Sequence, residues 1–458
     1  MTKNEFLRNL PKVDDILRSV KTEPVDHEIL KDLVVEEIGR LRRELLDDAT
    51  SAEESDLKTL VIRRTESRIR QLLTLPLRRV INGTGVILHT NLGRSIFRAK
   101  GIESLLSGYC NLELSIETGE RGDRNEHVSE LLRRITGCEA AIAVNNNAAA
   151  VMLVLAALAK GRTVVVSRGE QVEIGGSFRI PDVAALSGAD IIEVGTTNVT
   201  RASDYRYAIE KRSDCALILR VEPSNFAVIG QSRRPKNQEL FELASEFQIP
   251  YYVDLGSGVL DPTLIHGAIE TEYIEGKNIK SLMKSADLLS FSGDKLIGST
   301  QAGLIVGKKK YIDQLKRHPL YRAMRLDKAT IAILCSTLID AIQGVPSLLS
   351  EMLTVQSVEL RQRAMAFVES LGSVGEGLEI RPCELVSAVG GGTFAHTSLP
   401  SFGIEIRSKT KKASKIAEEL RLRDVPIQVT IERDVVRIDF RTILPQDLDE
   451  LRRAICSL

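Results

Sequence analysis

Residues 288–298 read Leu-Leu-Ser-Phe-Ser-Gly-Asp-Lys-Leu-Ile-Gly, and the chain continues as Ser-Thr-Gln-Ala-Gly to residue 303. The first five residues form an apolar run typical of a buried strand, and Lys295 lies in the turn that follows. A lysine that is partly desolvated at the end of a strand has a lowered pKa, and its amine can act as a nucleophile. The alternative for so short a pattern is an ordinary solvated turn, so the rest of the chain has to distinguish the two.

Other apolar runs of strand length surround this one, and helical patterns lie between several of them. The predicted strands are 140–144, 163–167, 191–194, 216–221, 250–254, 288–292 and 302–306. Strands that alternate with helices favour an α/β domain whose mostly parallel sheet is covered on both faces. We place this large domain at residues 77–340.

The two ends of the chain have different patterns. Residues 1–76 carry apolar positions at helical spacing within 25–48 and 55–75, which predicts a separate N-terminal helical domain. Residues 341–458 begin with a predicted long helix at 347–371 and then mix strands with helices, which indicates a small C-terminal α+β domain. Its predicted strands are 385–389, 402–406, 427–431 and 435–440, and its later helices are 411–423 and 445–457.

The composition limits the possible classes of function. The 458 residues contain equal numbers of acidic and basic side chains, so no overall field attracts a nucleic acid or a membrane. Six scattered cysteines without a CxxC pair indicate neither a zinc site nor a redox motif, and they are typical of a reducing compartment. The first residues lack the apolar core of a signal peptide, and the longest apolar run, 148–159, is too short to span a bilayer. We therefore expect a cytoplasmic protein with no metal and no membrane partner.

Two further stretches place polar groups at strand ends. Residues 142–150 read Ile-Ala-Val-Asn-Asn-Asn-Ala-Ala-Ala, so a strand meets asparagines and then an alanine-rich helix. The free N–H groups at the start of a helix are a natural phosphate site, although an ordinary asparagine N-cap explains the pattern equally well. Asp254 follows an apolar Tyr-Tyr-Val run, at the strand end where ligands bind in open α/β sheets. A carboxylate there can keep a pyridinium nitrogen protonated, or it can simply cap the next turn.

Arginines provide a candidate anion site. Arg94 lies in the stretch 85–95, where polar side chains interrupt an apolar run. Arg322 and Arg325 are three residues apart, so on a helix both would face the same way. Two arginines on one face can clamp a phosphate or a similar oxyanion, and a solvated face with two charges is the alternative.

The order of these signals along the chain adds to their weight. A phosphate site, then a strand-end aspartate, then a lysine on a later strand is the order of fold type I pyridoxal-phosphate enzymes. Specific strings extend the likeness, and the chain resembles the bacterial selenocysteine synthases, which are L-seryl-tRNA(Sec) selenium transferases. The strings lie at 7–11, 80–86, 93–94, 119–124, 145–150, 167–170, 174–179, 254–258, 292–295, 301–303 and 440–442, so the resemblance covers nearly the whole chain.

The resemblance implies the cofactor pyridoxal 5'-phosphate and assigns roles to residues of the matching strings. Lys295 would hold the cofactor through a Schiff base and then act as the base at the serine Cα, with Asp254 on the ring nitrogen. The residues implied around the cofactor phosphate are Asn146, Asn147, Ala148 and Ser292. Asp294 is implied as a further catalytic residue. The arginines implied to bind the selenium donor, selenophosphate, are Arg94, Arg322 and Arg325.

The resemblance also implies that the N-terminal domain binds the body of the substrate, seryl-tRNA(Sec), within a homo-oligomeric ring of dimers, a homodecamer. Candidate phosphate contacts are the basic residues Arg63, Arg64, Arg68 and Arg70, for which a solvated helix face is the alternative. Two other functions stay open here: a pyridoxal-phosphate lyase or aldolase that acts on a free amino acid, and a non-catalytic RNA-binding protein with the same fold. The N-terminal domain argues against the first, and the intact Lys295 and Asp254 argue against the second.

Overall fold

A computed structural model describes residues 10–46, 57–98, 102–174, 178–223, 230–372, 377–394 and 397–458. Parts of the predicted features lie outside these residues, namely the strings at 7–9 and 175–177 and the helix ends at 47–48 and 55–56. The chain divides into two compact units, Met1–Arg79 and Val80–Leu458. The domain boundaries predicted near 76 and 340 remain predictions.

The first unit is helical where it is described. It contains α1 (Val13–Leu17), α2 (His27–Leu46) and α3 (Leu57–Leu73). Apolar side chains spaced three or four apart on α2 and α3 pack together with Ile16 of α1 in one small core. The predicted helical character of this part of the chain is therefore confirmed.

The second unit mixes strands and helices. Its strands are β1 (Ile81–Asn82), β2 (Val86–Leu88), β3 (Ala140–Val144), β4 (Thr163–Ser167), β5 (Glu173–Ile174), β6 (Phe178–Arg179), β7 (Asp190–Val194), β8 (Cys215–Val221), β9 (Tyr251–Gly256), β10 (Leu288–Ser292), β11 (Gly303–Gly307), β12 (Leu378–Gly390), β13 (Ser398–Ser408), β14 (Ile427–Gln428), β15 (Thr430–Glu432) and β16 (Val435–Asp439). Its helices are α4 (Ile102–Leu106), α5 (Glu126–Thr136), α6 (Asn147–Leu158), α7 (Ile180–Leu186), α8 (Ala202–Glu210), α9 (Asn237–Glu246), α10 (Thr271–Glu275), α11 (Ile279–Leu282), α12 (Lys309–Arg317), α13 (Pro319–Ala323), α14 (Lys328–Ile342), α15 (Leu348–Thr354), α16 (Ser357–Ser370), α17 (Ala413–Arg421) and α18 (Leu448–Cys456).

The main sheet of the described residues has seven strands in the order β3-β11-β10-β9-β8-β4-β7. All neighbours run parallel except β11, which is antiparallel to both β10 and β3. Alternate residues of each strand enter opposite cores. On β3, for example, Ala141 and Ala143 pack into the core that includes α5 and α14, whereas Ile142 and Val144 pack into the core that includes α6 and α12. The predicted α/β sheet, mostly parallel and covered on both faces, is confirmed.

The C-terminal layer is built on a second sheet, in which the described strands run in the order β15-β16-β13-β12-β2. The helices α16, α17 and α18 pack on it and enclose a separate core. Two strands of this layer come from much earlier in the chain, because β2 pairs with β12 and β1 pairs with β14. Residues 81–88 therefore belong to the C-terminal layer, although they precede the main sheet in sequence.

Two predicted elements of this layer are wrong. The single helix predicted at 347–371 is two helices, α15 and α16, which are separated at Val355 and Gln356. The buried guanidinium of Arg441 donates Nη1 to the carbonyls of Met352 at 2.7 Å and of Val355 at 3.0 Å. Because these carbonyls would accept helical N–H groups in a continuous helix, Arg441 replaces the lost bonds at the break.

The strand predicted at 427–431 is likewise split. Its first half, β14, pairs with β1, and its second half, β15, pairs with β16 of the larger sheet. Among the described residues, no helix is long and apolar enough to cross a bilayer.

Candidate active site

Lys295 lies directly after β10, at the edge where the parallel strands of the main sheet have their carboxyl ends. The turn is fixed by backbone bonds from Gly293 N to Ala302 O at 2.8 Å and from Gly298 N to Lys295 O at 2.9 Å. The lysine is only 6% exposed. Burial, aided by the positive charge of Arg94, lowers the pKa of Lys295 to about 8, although Asp254 and Asp294 oppose the shift. About a fifth of the amine is therefore neutral near physiological pH, far more than in an ordinary lysine.

Asp254 lies on β9, beside Ser290 of β10. It is 3% exposed, and its Oδ1 accepts hydrogen bonds from Asn147 Nδ2 at 2.7 Å and from Gly256 N at 3.1 Å. Burial raises the pKa of Asp254, and the hydrogen bond from Asn147 counteracts that rise. The two bonds fix the orientation of the carboxyl group and converge on one oxygen. A cationic partner at Oδ2 would complete the site and stabilise the ionised form.

The asparagine turn begins α6. Asn146 is the N-cap, because its side chain accepts from Ala149 N at 2.9 Å and its backbone is extended. Asn147 reaches Asp254, and its own Oδ1 is buried without a partner. The interpretation as an ordinary N-cap therefore describes Asn146 correctly. The first-turn N–H groups at Asn147 and Ala148 still point out of the helix start, where a phosphate is favoured.

The last residue of β10, Ser292, is buried and lies opposite Gly303 of β11. Gly303 allows β11 to approach the asparagine turn closely, since a Cβ on it would lie 2.1 Å from the carbonyl oxygen of Asn146. The turn, Ser292 and Lys295 consequently meet at the same edge of the sheet.

Arg94 is brought to this edge by the loop after β2. It follows a short 3₁₀ turn at Thr90–Leu92 and has a left-handed backbone with φ of 63°. Its Nη1 lies 2.7 Å from Oδ2 of Asp294, and Ser95 N donates to the carbonyl of Asp294 at 3.3 Å. The other carboxylate oxygen of Asp294 is buried without a partner. Arg94 and Asp294 thus form a charged pair next to Lys295.

The second arginine group has a different geometry from the one predicted. Arg322 is exposed on α13, but that helix ends at Ala323, so Arg325 does not share its face. Arg325 instead lies 3.3 Å from Glu113, through Nη1 and Oε1. The carbonyl of Met324 accepts from Asn145 N at 3.1 Å, which places this segment against the asparagine turn. The predicted shared helix face is therefore wrong, and Arg325 instead follows a residue that contacts the asparagine turn.

Two charged residues at the same edge were not among the predicted site residues. Glu222 follows β8, and its N–H donates to the carbonyl of Asp254 at 2.9 Å. Burial raises the pKa of Glu222, but Arg220 and Arg234 outweigh that effect and lower it to about 2. Lys277 donates Nζ to the carbonyl of Leu255 at 3.3 Å, and burial lowers its pKa. Glu222 directly follows the predicted strand 216–221, so the strand-end pattern that indicated Asp254 could also have indicated it. Lys277 lies in a turn without such a pattern, and only the folded arrangement reveals it.

A family model described as L-seryl-tRNA selenium transferase matches residues 80–444. Curated proteins named L-seryl-tRNA(Sec) selenium transferase are similar over almost the full length. The one from Clostridium botulinum (strain Okra / Type B1) is 38% identical, covering 98% of both chains. Those from Alkaliphilus oremlandii (strain OhILAs) and Caldanaerobacter subterraneus subsp. tengcongensis are 39% and 40% identical, covering 99% and 98% of both chains.

Among solved structures, D-glucosaminate-6-phosphate ammonia-lyase superposes with a TM-score of 0.56. The match covers 85% of this chain and 97% of the lyase at 21% identity, so the likeness concerns the fold. It agrees with the predicted α/β fold class of the fold type I enzymes, which is confirmed.

Proposed function

The chain belongs to the L-seryl-tRNA selenium transferase family, and from that membership we infer that it converts L-seryl-tRNA(Sec) to L-selenocysteinyl-tRNA(Sec). In the net reaction the Cβ–O bond of the serine breaks and a Cβ–Se bond forms. With selenophosphate as the donor, its P–Se bond breaks and phosphate is released. The observation that carries the proposal is the buried amine of Lys295, which stands beside Asp254 at the ligand-binding edge of the sheet.

Pyridoxal 5'-phosphate is the cofactor, and the residues at this edge fit its three polar groups. Lys295 can hold the aldehyde carbon, and Asp254 Oδ2 can pair with the ring nitrogen. The first turn of α6, with Ser292 beside it, can receive the phosphate. When bound, the cofactor supplies an electron sink for the negative charge that develops at the serine Cα.

The protein groups contribute proton transfer and positioning. With a pKa of about 8, Lys295 can be neutral when it takes the Cα proton and protonated when it gives a proton to the departing hydroxyl. Asn147 and Gly256 hold Asp254 in one orientation, in which its negative charge would stabilise a protonated ring nitrogen. Arg94 is supported by Asp294 and, together with Arg322 and Arg325, is assigned to the anionic donor.

The test of the function is the conversion itself. Purified protein is incubated with pyridoxal phosphate, selenophosphate and seryl-tRNA(Sec), and the aminoacyl group is analysed after hydrolysis of the ester. We expect selenocysteine from the charged tRNA and none when free serine replaces it. Turnover of free serine with no turnover of the charged tRNA would instead support a lyase of small amino acids.

We assign tRNA binding to the helical N-terminal unit. The ion pairs of this unit separate the basic candidate residues of α3 into two groups. Arg64 pairs with Glu44 of α2 at 2.8 Å, and Arg68 faces Glu36 and Glu37 at 3.8 and 3.9 Å. Arg63 and Arg70 are exposed and seven residues apart, so they lie on one face of α3. A cytoplasmic location and a ring of dimers, a homodecamer, belong to the same proposal.

Replacing Arg63 and Arg70 together by alanine is expected to weaken tRNA(Sec) binding about tenfold and to flatten its salt dependence, because two phosphate contacts are lost. Arg64→Ala is the matched control on the same helix and should change the Kd less than twofold, since that guanidinium is engaged by Glu44. Binding is measured by filter retention at several salt concentrations. Equal losses in the double variant and the control would contradict the choice of face.

The lowered pKa of Lys295 predicts how fast the cofactor-free protein captures pyridoxal phosphate. The neutral amine is the reacting form, so the rate should rise about tenfold per pH unit up to pH 8 and level off above it. The covalent adduct is followed by its absorbance after mixing. A rate that keeps rising to the pKa of an ordinary lysine, about 10.4, would show that the amine is not perturbed.

A further inference from the structure

Glu113 gathers three arginines of the described chain around one carboxylate. It lies in the loop between α4 and α5, where its side chain is 25% exposed. Arg121 Nη2 lies 2.8 Å from Oε2, and Arg124 donates Nε to Oε1 at 2.9 Å. Arg325 Nη1 shares that same Oε1 at 3.3 Å. Hydrogen bonds from Arg124 and Arg121 hold the pKa of Glu113 below its ordinary value, so the carboxylate stays charged.

This cluster has more positive than negative charge. One carboxylate faces three guanidinium groups, and Arg325 makes the longest of the contacts, on an oxygen that Arg124 already occupies. A guanidinium in that position retains donors for a second anion. Arg206 shows the contrast, since it binds both oxygens of Glu246 and also lies 3.8 Å from Glu210, so one guanidinium there faces two carboxylates.

Arg124 connects the cluster to the backbone that carries Arg325. Its Nη1 donates to the carbonyl of Leu326 at 2.7 Å. On the other side of Arg325, the carbonyl of Met324 accepts from Asn145 N at 3.1 Å. The position of Arg325 is therefore fixed from both sides, by Glu113 through Arg124 and by the asparagine turn of the active-site edge.

We propose that Glu113 is a positioning residue for the selenium donor: together with Arg124 it holds Arg325 in the orientation that receives the donor's phosphate. The inference rests on the proposed function, in which Arg325 binds that anion. The phosphate of the donor then provides the negative charge that balances the three arginines, which otherwise face a single carboxylate. Glu113 itself touches neither the donor nor the reacting atoms.

The variant Glu113→Gln keeps the size of the side chain and removes its charge. We expect the KM for selenophosphate to rise about tenfold at saturating seryl-tRNA(Sec), with kcat changed less than twofold, because the loss concerns binding of the donor. The Kd of inorganic phosphate for the holoenzyme should rise by a similar factor in calorimetry. Glu130→Gln is the matched control, since Glu130 also pairs with two arginines, Arg133 and Arg134, on the nearby α5, and it should leave both constants unchanged.

A double-mutant cycle tests whether Glu113 acts through Arg325. In an Arg325→Ala background, Glu113→Gln should change the KM less than twofold. A full effect in that background, a lower KM in Glu113→Gln alone, or equal losses in Glu113→Gln and Glu130→Gln would each overturn the inference. If Glu113→Gln leaves the KM unchanged while Arg325→Ala raises it, only the role of Glu113 is contradicted. If Arg325→Ala leaves the KM for selenophosphate unchanged, Arg325 does not bind the donor. The role of Glu113 is then contradicted as well, because it depends on Arg325.

Discussion

Lys295→Ala is expected to abolish covalent attachment of pyridoxal phosphate and to slow selenocysteinyl-tRNA formation by at least about 10³-fold. The amine is both the proposed attachment point of the cofactor and the proposed base at the serine Cα, so one substitution would remove two functions. Burial of Lys295 disfavours its charged form. Removing the side chain also removes this unfavourable desolvation, so the substitution should leave the fold intact. The readouts are the absorbance of the purified protein and the conversion assay.

Reduction with borohydride before proteolysis makes the assignment specific, since the cofactor is then fixed to one peptide that mass spectrometry can identify. Lys308→Ala is the matched control, because Lys308 is a partly buried lysine paired with Asp287 near the opposite end of β10. It should retain full attachment. Recovery of the cofactor on the peptide that contains Lys277 would refute the assignment to Lys295.

Asp254→Asn is expected to lower kcat about 10²-fold while the protein still binds the cofactor. An amide cannot carry the negative charge that keeps the ring nitrogen protonated, so the negative charge that develops at the serine Cα is poorly stabilised. Asn147 and Gly256 N can still contact the substituted side chain, which should preserve its orientation. The measurement is single-turnover conversion of seryl-tRNA(Sec), together with the absorbance spectrum across pH.

The control for that substitution is Asp287→Asn. Asp287 is also a buried aspartate, and it accepts from Tyr251 N at 2.8 Å and pairs with Lys308 at 2.6 Å. Its replacement should lower thermal stability without changing the spectrum of the bound cofactor. If both aspartates gave the same loss of kcat and the same loss of stability, the effect of Asp254→Asn would be structural and the assigned role would fail.

Local sequence patterns were sufficient to predict a strand or helix where its bounds depend only on its own residues. The bounds of β3, β4 and β10 were predicted correctly, because each is a short run of apolar residues that ends in polar or small ones. The apolar run at 148–159 also corresponds to a helix, α6, which begins and ends one residue earlier and is buried between the sheet and other helices. Lys295 and Asp254 could be singled out because both follow such runs and because the chain resembles a known family.

Contacts between distant residues could not be predicted. Nothing near residue 350 indicates that Arg441 ends α15, and nothing near Arg94 indicates that Asp294 is its partner. The cluster around Glu113 joins residues from two loops that lie about 200 positions apart, so no spacing rule could find it. Periodicity describes which face of an element is buried, but it does not say which charged groups two elements bring together.

The early strands β1 and β2 have a consequence for how the protein is made. Their partners β14 and β12 are translated roughly 300 residues later, so these pairings have a high contact order and form late. The loop that carries Arg94 follows β2 directly and takes its place only when β12 has left the ribosome. We therefore expect the main sheet, which carries Lys295 and Asp254, to form during synthesis before the loop with Arg94 is in place. Synthesis of the C-terminal strands would then complete the candidate site last.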